Sequence, residues 1–238
     1  MTLKINNLCG FGKAAPAAGG PETPPSVVFS TAFSAGNAAI TFNISGNVQE
    51  NDILVAILGY ASGQNFNISD FTTLDSLLCA DYGIGLRVQW KRAGAAEANP
   101  VTNDPGSAFS GGMLVVRGCP TEGDPWDSFL LSHNTTNGNN GRIVPGITTT
   151  QPNSRIIHAT RSWNSAGSGG TDMQGNYANG NLGAFTEHFG GLGSTNVLFG
   201  YSADFLAAGA TGDTTYNRTG LDSSAIHSVE FMGALKGV

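Results

Sequence analysis

Side chains able to do acid–base, nucleophilic or metal chemistry are few in this sequence and lie far apart along it. The histidines are His133, His158, His188 and His227, and no two have the spacing that places metal ligands on one face of a strand or helix. Glu50 and Asp52 lie two residues apart, but residues two apart on a strand share a face for purely geometric reasons. A glycosidase needs two carboxylates about 5 to 10 Å apart in a cleft, and no Gly-x-Ser-x-Gly turn is present to expose a nucleophilic serine. We therefore predict a protein that is not an enzyme and that holds no metal or cofactor.

One stretch carries the side chains of a sugar-binding loop. Sugar sites combine an aromatic ring, which packs against the C–H face of the sugar, with amides and carboxylates that bind its hydroxyl groups. The candidate residues are Trp163, Asn164, Asp172, Asn176 and Tyr177. An asparagine-rich loop with one tryptophan has the same composition without binding anything, so the pattern leaves both interpretations open.

The low content of charged residues limits the partners. Of the 238 residues, 12% are charged and the net charge is −6, against a usual charged share of about 25%. Nucleic-acid binding requires clustered Lys and Arg, and the 11 basic residues are scattered. No apolar run approaches the roughly 20 residues of a membrane span, and residues 1–6 lack the basic and apolar regions of a secretory signal. We expect no nucleic-acid or membrane partner and synthesis in a cytoplasm.

The first 25 residues differ from the rest of the chain. Leu3, Ile5, Leu8 and Phe11 give residues 1–12 a weak apolar alternation, while residues 13–25 hold four of the ten prolines. The absence of periodicity there is typical of a linker. An apolar segment on a linker is either a disordered tail or an arm that docks on a neighbouring subunit. We predict that residues 1–25 form an anchoring arm and that residues 26–238 form the body.

The body has the pattern of a series of short strands. Residues 51–60 are rich in branched aliphatic side chains and bounded by polar and turn residues, which predicts a strand buried on both faces in the middle of a sheet. Residues 26–33 and 38–44 are predicted to pair as a hairpin, and residues 84–92 alternate as a strand with one buried face. Further strands are predicted at 66–74, 112–117, 126–132, 143–150, 155–160, 182–189, 196–206, 214–218 and 225–235.

No part of the chain has a helical stripe with capping residues. About a dozen short strands without intervening helices predict an all-β fold, an antiparallel β-sandwich of jelly-roll type preceded by an extended N-terminal arm. Such a sandwich has edge strands, and a weakly charged surface protects them poorly from pairing. We therefore expect the body to be an oligomer.

Several segments occur in an order that resembles a known family. They are residues 48–56 (VQENDILVA), 71–74 (FTTL), 86–97 (LRVQWKRAGAAE), 113–118 (MLVVRG), 145–150 (PGITTT) and 207–213 (AAGATGD). Over residues 26–236 the chain is similar to jelly-roll β-sandwich domains of tailed-bacteriophage virion proteins, which include head decoration, head-spike and tail-fibre components. Asn51 stands where this family often has Gly, and Phe71 stands where it often has Trp.

The resemblance implies a virion structural protein without fixing its place in the particle. We expect a capsid decoration (cement) or head-spike protein, made in the host cytoplasm and displayed on the particle exterior. It would bind the major capsid protein or another virion structural protein through the arm and form a homotrimer. The alternative is a tail-fibre or receptor-binding module that recognises a host-surface glycan through the Trp163 loop.

Overall fold

A computed structural model describes residues 23–35, 38–104, 109–134, 142–164, 176–192, 196–217 and 226–238. Within these ranges the only helical element is the 3-10 turn Ala80–Tyr82, and no helix is long and apolar enough to cross a membrane. The strands are β1 Ser26–Ala35, β2 Ile53–Ala61, β3 Thr72–Cys79, β4 Ile84–Arg92, β5 Phe109–Arg117, β6 Trp126–Asn134, β7 Arg142–Val144, β8 Thr148–Thr149, β9 Ser154–Asn164, β10 Asn176–Ala178, β11 Thr186–Leu192, β12 Asn196–Phe205, β13 Gly209–Ala210, β14 Thr214–Asn217 and β15 Ile226–Leu235.

The longer strands form two five-stranded antiparallel sheets. The first sheet has the order β1-β5-β2-β4-β3 and the second sheet has the order β11-β12-β9-β15-β6. β2 lies in the middle of the first sheet, between β5 and β4, and all of its residues except the last are buried. The central strand predicted from the apolar run is therefore confirmed.

The two sheets pack face to face around a common apolar core. Because successive strand residues alternate between faces, Leu86 and Val88 of β4 enter this core from the first sheet, and Ile157 and Ala159 of β9 enter it from the second. The core also contains Ile53, Val55, Ile57, Leu114, Val116, Trp126, Leu198, Val229, Phe231 and Leu235. The predicted all-β antiparallel sandwich is confirmed.

The connectivity differs from the expectation. Each half of the chain builds one whole sheet, so the jelly-roll type is not confirmed. The predicted hairpin of residues 26–33 with 38–44 is wrong, because β1 pairs with β5 and the only bridge from residues 38–44 joins Thr41 to Val101. The strand predicted at residues 66–74 lies later, as β3. A turn signal between two apolar runs cannot reveal that a longer partner strand follows much later in the chain.

Connecting segments cover the outer face of each sheet. The first cover consists of residues 38–48, 64–71 and 99–103. It buries apolar side chains against the outward-facing residues of the first sheet, among them Phe42, Ile44, Phe66 and Ile68 against Leu54, Leu58 and Met113. The second cover is the three-stranded sheet β10-β14-β7 together with the pair β13-β8. Both sheets are therefore packed on both faces.

The two halves of the chain have the same topology. Read from β6, the second sheet has the order β6-β15-β9-β12-β11. If the five strands of each sheet are numbered by their order along the chain, both sheets have the order 1-5-2-4-3. The covers correspond as well: bridges from Thr41 to Val101 and from Ile68 to Thr102 in the first half match the pairs β7–β14 and β14–β10 in the second. The sandwich is built from two topologically equivalent halves.

Strand irregularities recur at equivalent places. The register of β1 with β5 skips Val28, and that of β6 with β15 skips Asp127. In the same way β3 skips Leu74 and β11 skips His188. Bulges are specific features that bend a strand at one position, so their coincidence strengthens the equivalence of the halves.

The turns before β2 and β9 are also alike. Asn51 and Asn153 are the non-glycine residues with positive φ in the described ranges, at 71° and 54°, a conformation that Asn tolerates better than most residues. Gly would also suit positions 51 and 153, because it adopts positive φ without steric cost. In the first turn Asp52 Oδ2 accepts a hydrogen bond from Gln49 N (2.8 Å).

The strand directions define two ends of the sandwich. At the base end β1 begins opposite the end of β5, and β6 begins opposite the end of β15, so the described chain both starts and finishes there. At the opposite, distal end, β6, β9, β11 and β14 finish and β7, β10, β12 and β15 begin. The connections between the strands of the second half at this end run through residues outside the described ranges.

Candidate functional site

The base end holds the start of the body in place. The arm residues Leu3, Ile5, Leu8 and Phe11 lie outside the described residues. Pro25 is buried, and its carbonyl accepts a hydrogen bond from Arg155 Nε at 2.6 Å. Arg155 also forms an ion pair with Asp204 at 2.8 Å. The predicted arm therefore joins the body at a point that the second sheet fixes.

Most residues of the predicted sugar site lie at the distal end. β9 ends with Trp163 and Asn164, and β10 begins with Asn176 and Tyr177. Asp172 lies outside the described residues. The site is therefore at the end of the body opposite the arm, and sugar binding stays a prediction.

Tyr177 is engaged inside the second cover. Its hydroxyl donates to Thr160 Oγ1 at 3.3 Å. Its ring centroid lies 4.3 Å from that of Tyr201 and 4.7 Å from that of His158. Desolvation raises the pKa of Tyr177 well above its ordinary value, so the hydroxyl stays protonated and serves as a donor.

A buried polar cluster lies between the second sheet and its cover. It consists of Arg142, Tyr216, Ser228 and Glu230, each at most 3% exposed. Glu230 Oε1 accepts hydrogen bonds from the hydroxyls of Tyr216 (2.9 Å) and Ser228 (2.7 Å), and Arg142 Nη1 donates to Ser228 Oγ. The serine hydroxyl thus links the guanidinium to the carboxylate. Buried charges persist when they are paired and hydrogen-bonded in this way.

The equivalent place in the first half is apolar. Leu58 pairs with Gly111 in the first sheet, and at the equivalent register Thr160 pairs with Glu230 in the second. Replacing buried ionic groups by well-packed apolar ones is often neutral or stabilising, and the first half uses that solution. The polar cluster is therefore the main chemical difference between two halves of equal topology.

His158 faces the same cover. It is 0% exposed, and neither of its ring nitrogens has a hydrogen-bond partner among the described residues. The ring centroids of Tyr177, Phe185 and Tyr201 lie 4.7, 6.4 and 6.5 Å away. Burial lowers the pKa of His158 to about 3, so the imidazole is neutral near neutral pH. An unpartnered buried imidazole costs free energy because water would otherwise bind its nitrogens.

A second isolated polar group lies between the two sheets towards the distal end. Arg161 is fully buried, and its Nη1 donates to the Gly85 carbonyl at 3.2 Å. Within the described ranges its Nε has no partner. Gly59 makes room for it, since an added Cβ there would lie 2.8 Å from Arg161 Cδ. Burial lowers the pKa of Arg161 to about 9. In the part of the chain that the structure describes, packing and one backbone acceptor hold this charge.

Three acidic side chains, Asp52, Asp124 and Asp127, take part in local structure. Asp52 forms an ion pair with Arg117 at 2.7 Å. Asp124 Oδ1 accepts from Trp126 N at 3.0 Å, and Asp127 Oδ2 accepts from Thr150 N at 2.6 Å. Within the described part of the chain no three His, Cys, Asp or Glu side chains are grouped so that they could bind a metal ion.

Sequence reasoning did not find the polar cluster. In β15, Ser228 and Glu230 alternate with Val229 and Phe231, a pattern that predicts a strand with one wet face. In the structure that face is covered by the strands of Arg142 and Tyr216, which are separated from β15 in sequence. The alternation was visible, but the cover that turns a wet face into a buried one was not.

Comparison with known proteins adds no assignment. No protein-family model, no curated protein and no solved structure matches this chain. The two ends of the body and the chemistry of its surfaces are therefore the features that bear on function.

Proposed function

We propose that this protein is a non-enzymatic structural component of a tailed-bacteriophage particle, held at its base end and exposed at its distal end. The observation that supports this most is the polarity of the body. Residues 23–25 and residues 236–238 lie at the base end, while β9 ends and β10, β12 and β15 begin at the distal end. A capsid decoration or head-spike protein needs such an arrangement, because one end is attached and the other faces outward.

The body also has the properties of a rigid block. Both sheets are packed on both faces, and β2 and β5 are buried along nearly their whole length. Its few charges, 12% of residues, let surfaces meet without desolvating many ions. At the base end Asp52 and Asp124 are engaged in structural contacts. These features suit a protein that is bound by neighbours rather than one that turns over a substrate.

The mechanism is cementing through the arm. Leu3, Ile5, Leu8 and Phe11 bury apolar surface on the major capsid protein or on another virion structural protein, and each fully buried side chain of this kind contributes about 1.5 to 3 kcal/mol. Because the arm binds the assembled shell and not the free subunits, binding stabilises the shell by mass action.

The test replaces these four arm residues by Ser in the full-length chain. The variant should keep the strand-type circular dichroism and thermal midpoint of the natural chain but should be missing from purified particles. Particles that lack it should break at lower temperature or lower salt. The matched control, Asn6→Ser with Asn7→Ser, should enter particles normally. Incorporation of the four-serine variant at the natural level would refute the anchoring role.

One observation favours a second candidate, a tail-fibre or receptor-binding module. Trp163, Asn164 and Asn176 lie at the end opposite the arm, where a receptor would be met. In that case particles carrying Trp163→Ala stay intact but fail to adsorb to host cells or to bind host-surface glycan. Normal adsorption of these particles supports the decoration role instead.

A further inference from the structure

The two lateral sides of the sandwich are closed differently. On one side β1 faces β11, and there the buried ring of Phe189 packs on Gly112 and Gly200. On the other side β3 faces β6. The first residue after the bulge is Phe189 in β11 but Asp75 in β3, and Asp75 Oδ1 accepts a hydrogen bond from Ser76 N (2.7 Å). The side formed by β3 and β6 therefore lacks the aromatic ring that closes its counterpart.

β6 is the apolar edge of this open side. Phe129 and Leu130 are 39% and 38% exposed. In the described part of the chain β6 pairs with β15 alone, so one edge of its backbone has no strand partner there. β6 contains no Lys, Arg or Pro, the residues that commonly protect an edge strand from pairing. Such an edge is a template for another strand.

The sequence of β6 is complementary to itself when two copies run antiparallel. Leu130 then lies opposite Leu130 of the other copy. The pairs that follow on either side are Phe129 with Leu131 and Ser128 with Ser132. Cross-strand pairs of apolar side chains stabilise a sheet.

We propose that β6 is the contact between two copies of this chain, which pair antiparallel around a two-fold axis at Leu130 and join their second sheets into one continuous sheet. A second copy is the occupant because β6 itself supplies the apolar residues on both sides of the contact, Leu130 against Leu130 and the exposed Phe129 against Leu131. The contact is isologous and therefore closes as a dimer rather than growing into a fibre. It replaces the homotrimer expected from the sequence, and it does not depend on the proposed role in a virion.

The mass of the purified full-length chain, measured by sedimentation equilibrium, tests the dimer. Leu130→Lys places two lysines opposite each other at the axis and should raise the dimer dissociation constant by about tenfold or more. Val101→Lys is the matched control, because Val101 is also exposed, at 49%, but lies on the first cover. A monomeric or trimeric natural chain, or an equal effect of both variants, overturns the proposal.

Disulfide formation tests the register directly. Residues opposite each other in an antiparallel pair have Cα atoms about 4.5 to 5.5 Å apart, within the range that a disulfide spans. Leu130→Cys in a Cys9→Ser background should therefore form a cross-linked dimer on oxidation, since Cys79 and Cys119 are buried. Ser132→Cys is the control, because its two copies would lie roughly 13 Å apart along the strands. Equal cross-linking of both variants refutes the pairing.

Discussion

The polar cluster under the second cover allows a quantitative test of how this half is held together. Glu230 accepts hydrogen bonds from the hydroxyls of Tyr216 and Ser228 at 2.9 and 2.7 Å and is 1% exposed. Glu230→Ala removes both bonds and leaves the guanidinium of Arg142 without the carboxylate that Ser228 links to it. Breaking a buried charged arrangement by removing one partner costs about 3 to 5 kcal/mol, and we expect a loss of unfolding free energy of this size.

Glu187 supplies a matched control for this measurement. It also accepts a hydrogen bond from a tyrosine hydroxyl, that of Tyr201 at 2.8 Å, but its side chain is exposed. Glu187→Ala should change the stability by no more than about 0.5 kcal/mol. Urea unfolding of both variants, followed by tryptophan fluorescence, gives the two free energies. A cost of less than about 1 kcal/mol for Glu230→Ala would mean that the polar cluster does not stabilise the second cover.

Three further predictions test the core, the turns and the buried histidine. Ile57→Ala removes a buried side chain from the core between the sheets and should lower the free energy of unfolding in urea by about 2 to 5 kcal/mol, whereas Leu206→Ala, at a residue that is 64% exposed, should change it by no more than about 0.5 kcal/mol. Asn51→Ala and Asn153→Ala should each cost about 1 kcal/mol in thermal unfolding, because both residues have positive φ, and the Gly variants should cost less. As the pH falls below about 6.5, the unfolded chain binds a proton that His158, with its pKa lowered to about 3, does not take up when folded. Stability should therefore fall by about 1.4 kcal/mol per pH unit from this group, and His158→Leu should remove that part of the slope.

Each of these three has a result that would contradict it. An Ile57→Ala variant as stable as Leu206→Ala would mean that β2 does not pack in the core. Opposite effects of Ala at Asn51 and Asn153 would contradict the equivalence of the two turns. An unchanged pH dependence in His158→Leu would show that the imidazole gains a partner or contacts water in the folded chain.

The sequence predicts those parts of the fold that depend on local pattern. The bounds of β4 match the predicted residues 84–92. This prediction succeeds because the alternation of apolar and polar side chains depends only on the sequence of the strand itself. The prediction that one face of β4 is wet is only partly right, since Gln89 is buried under the first cover and donates to the Ile68 carbonyl. Local pattern shows the faces of a strand but not what lies against them.

The equivalence of the two halves could not be found in the same way. Equivalent positions carry different side chains, such as Leu58 and Thr160, or Gly111 and Glu230. The two halves share their strand order, the positions of their bulges and the backbone angles of their turns. Of these features the sequence reveals only the turns, through Asn51 and Asn153. For the same reason the distal position of the predicted sugar residues becomes visible only once the strand directions are known.

Because each sheet is built from one continuous half of the chain, the order of synthesis has a physical consequence. All strands of the first sheet have left the ribosome once Arg117 has emerged, and they can pair before the second half exists. The inner face of that sheet, including Val55 and Leu114, then has no counterpart from its own chain. The nascent protein thus passes through a stage in which one apolar sheet face is exposed to solvent. At that stage a second nascent copy competes with the rest of the same chain to cover this face. Yield during expression should depend on how quickly residues 126–235 follow.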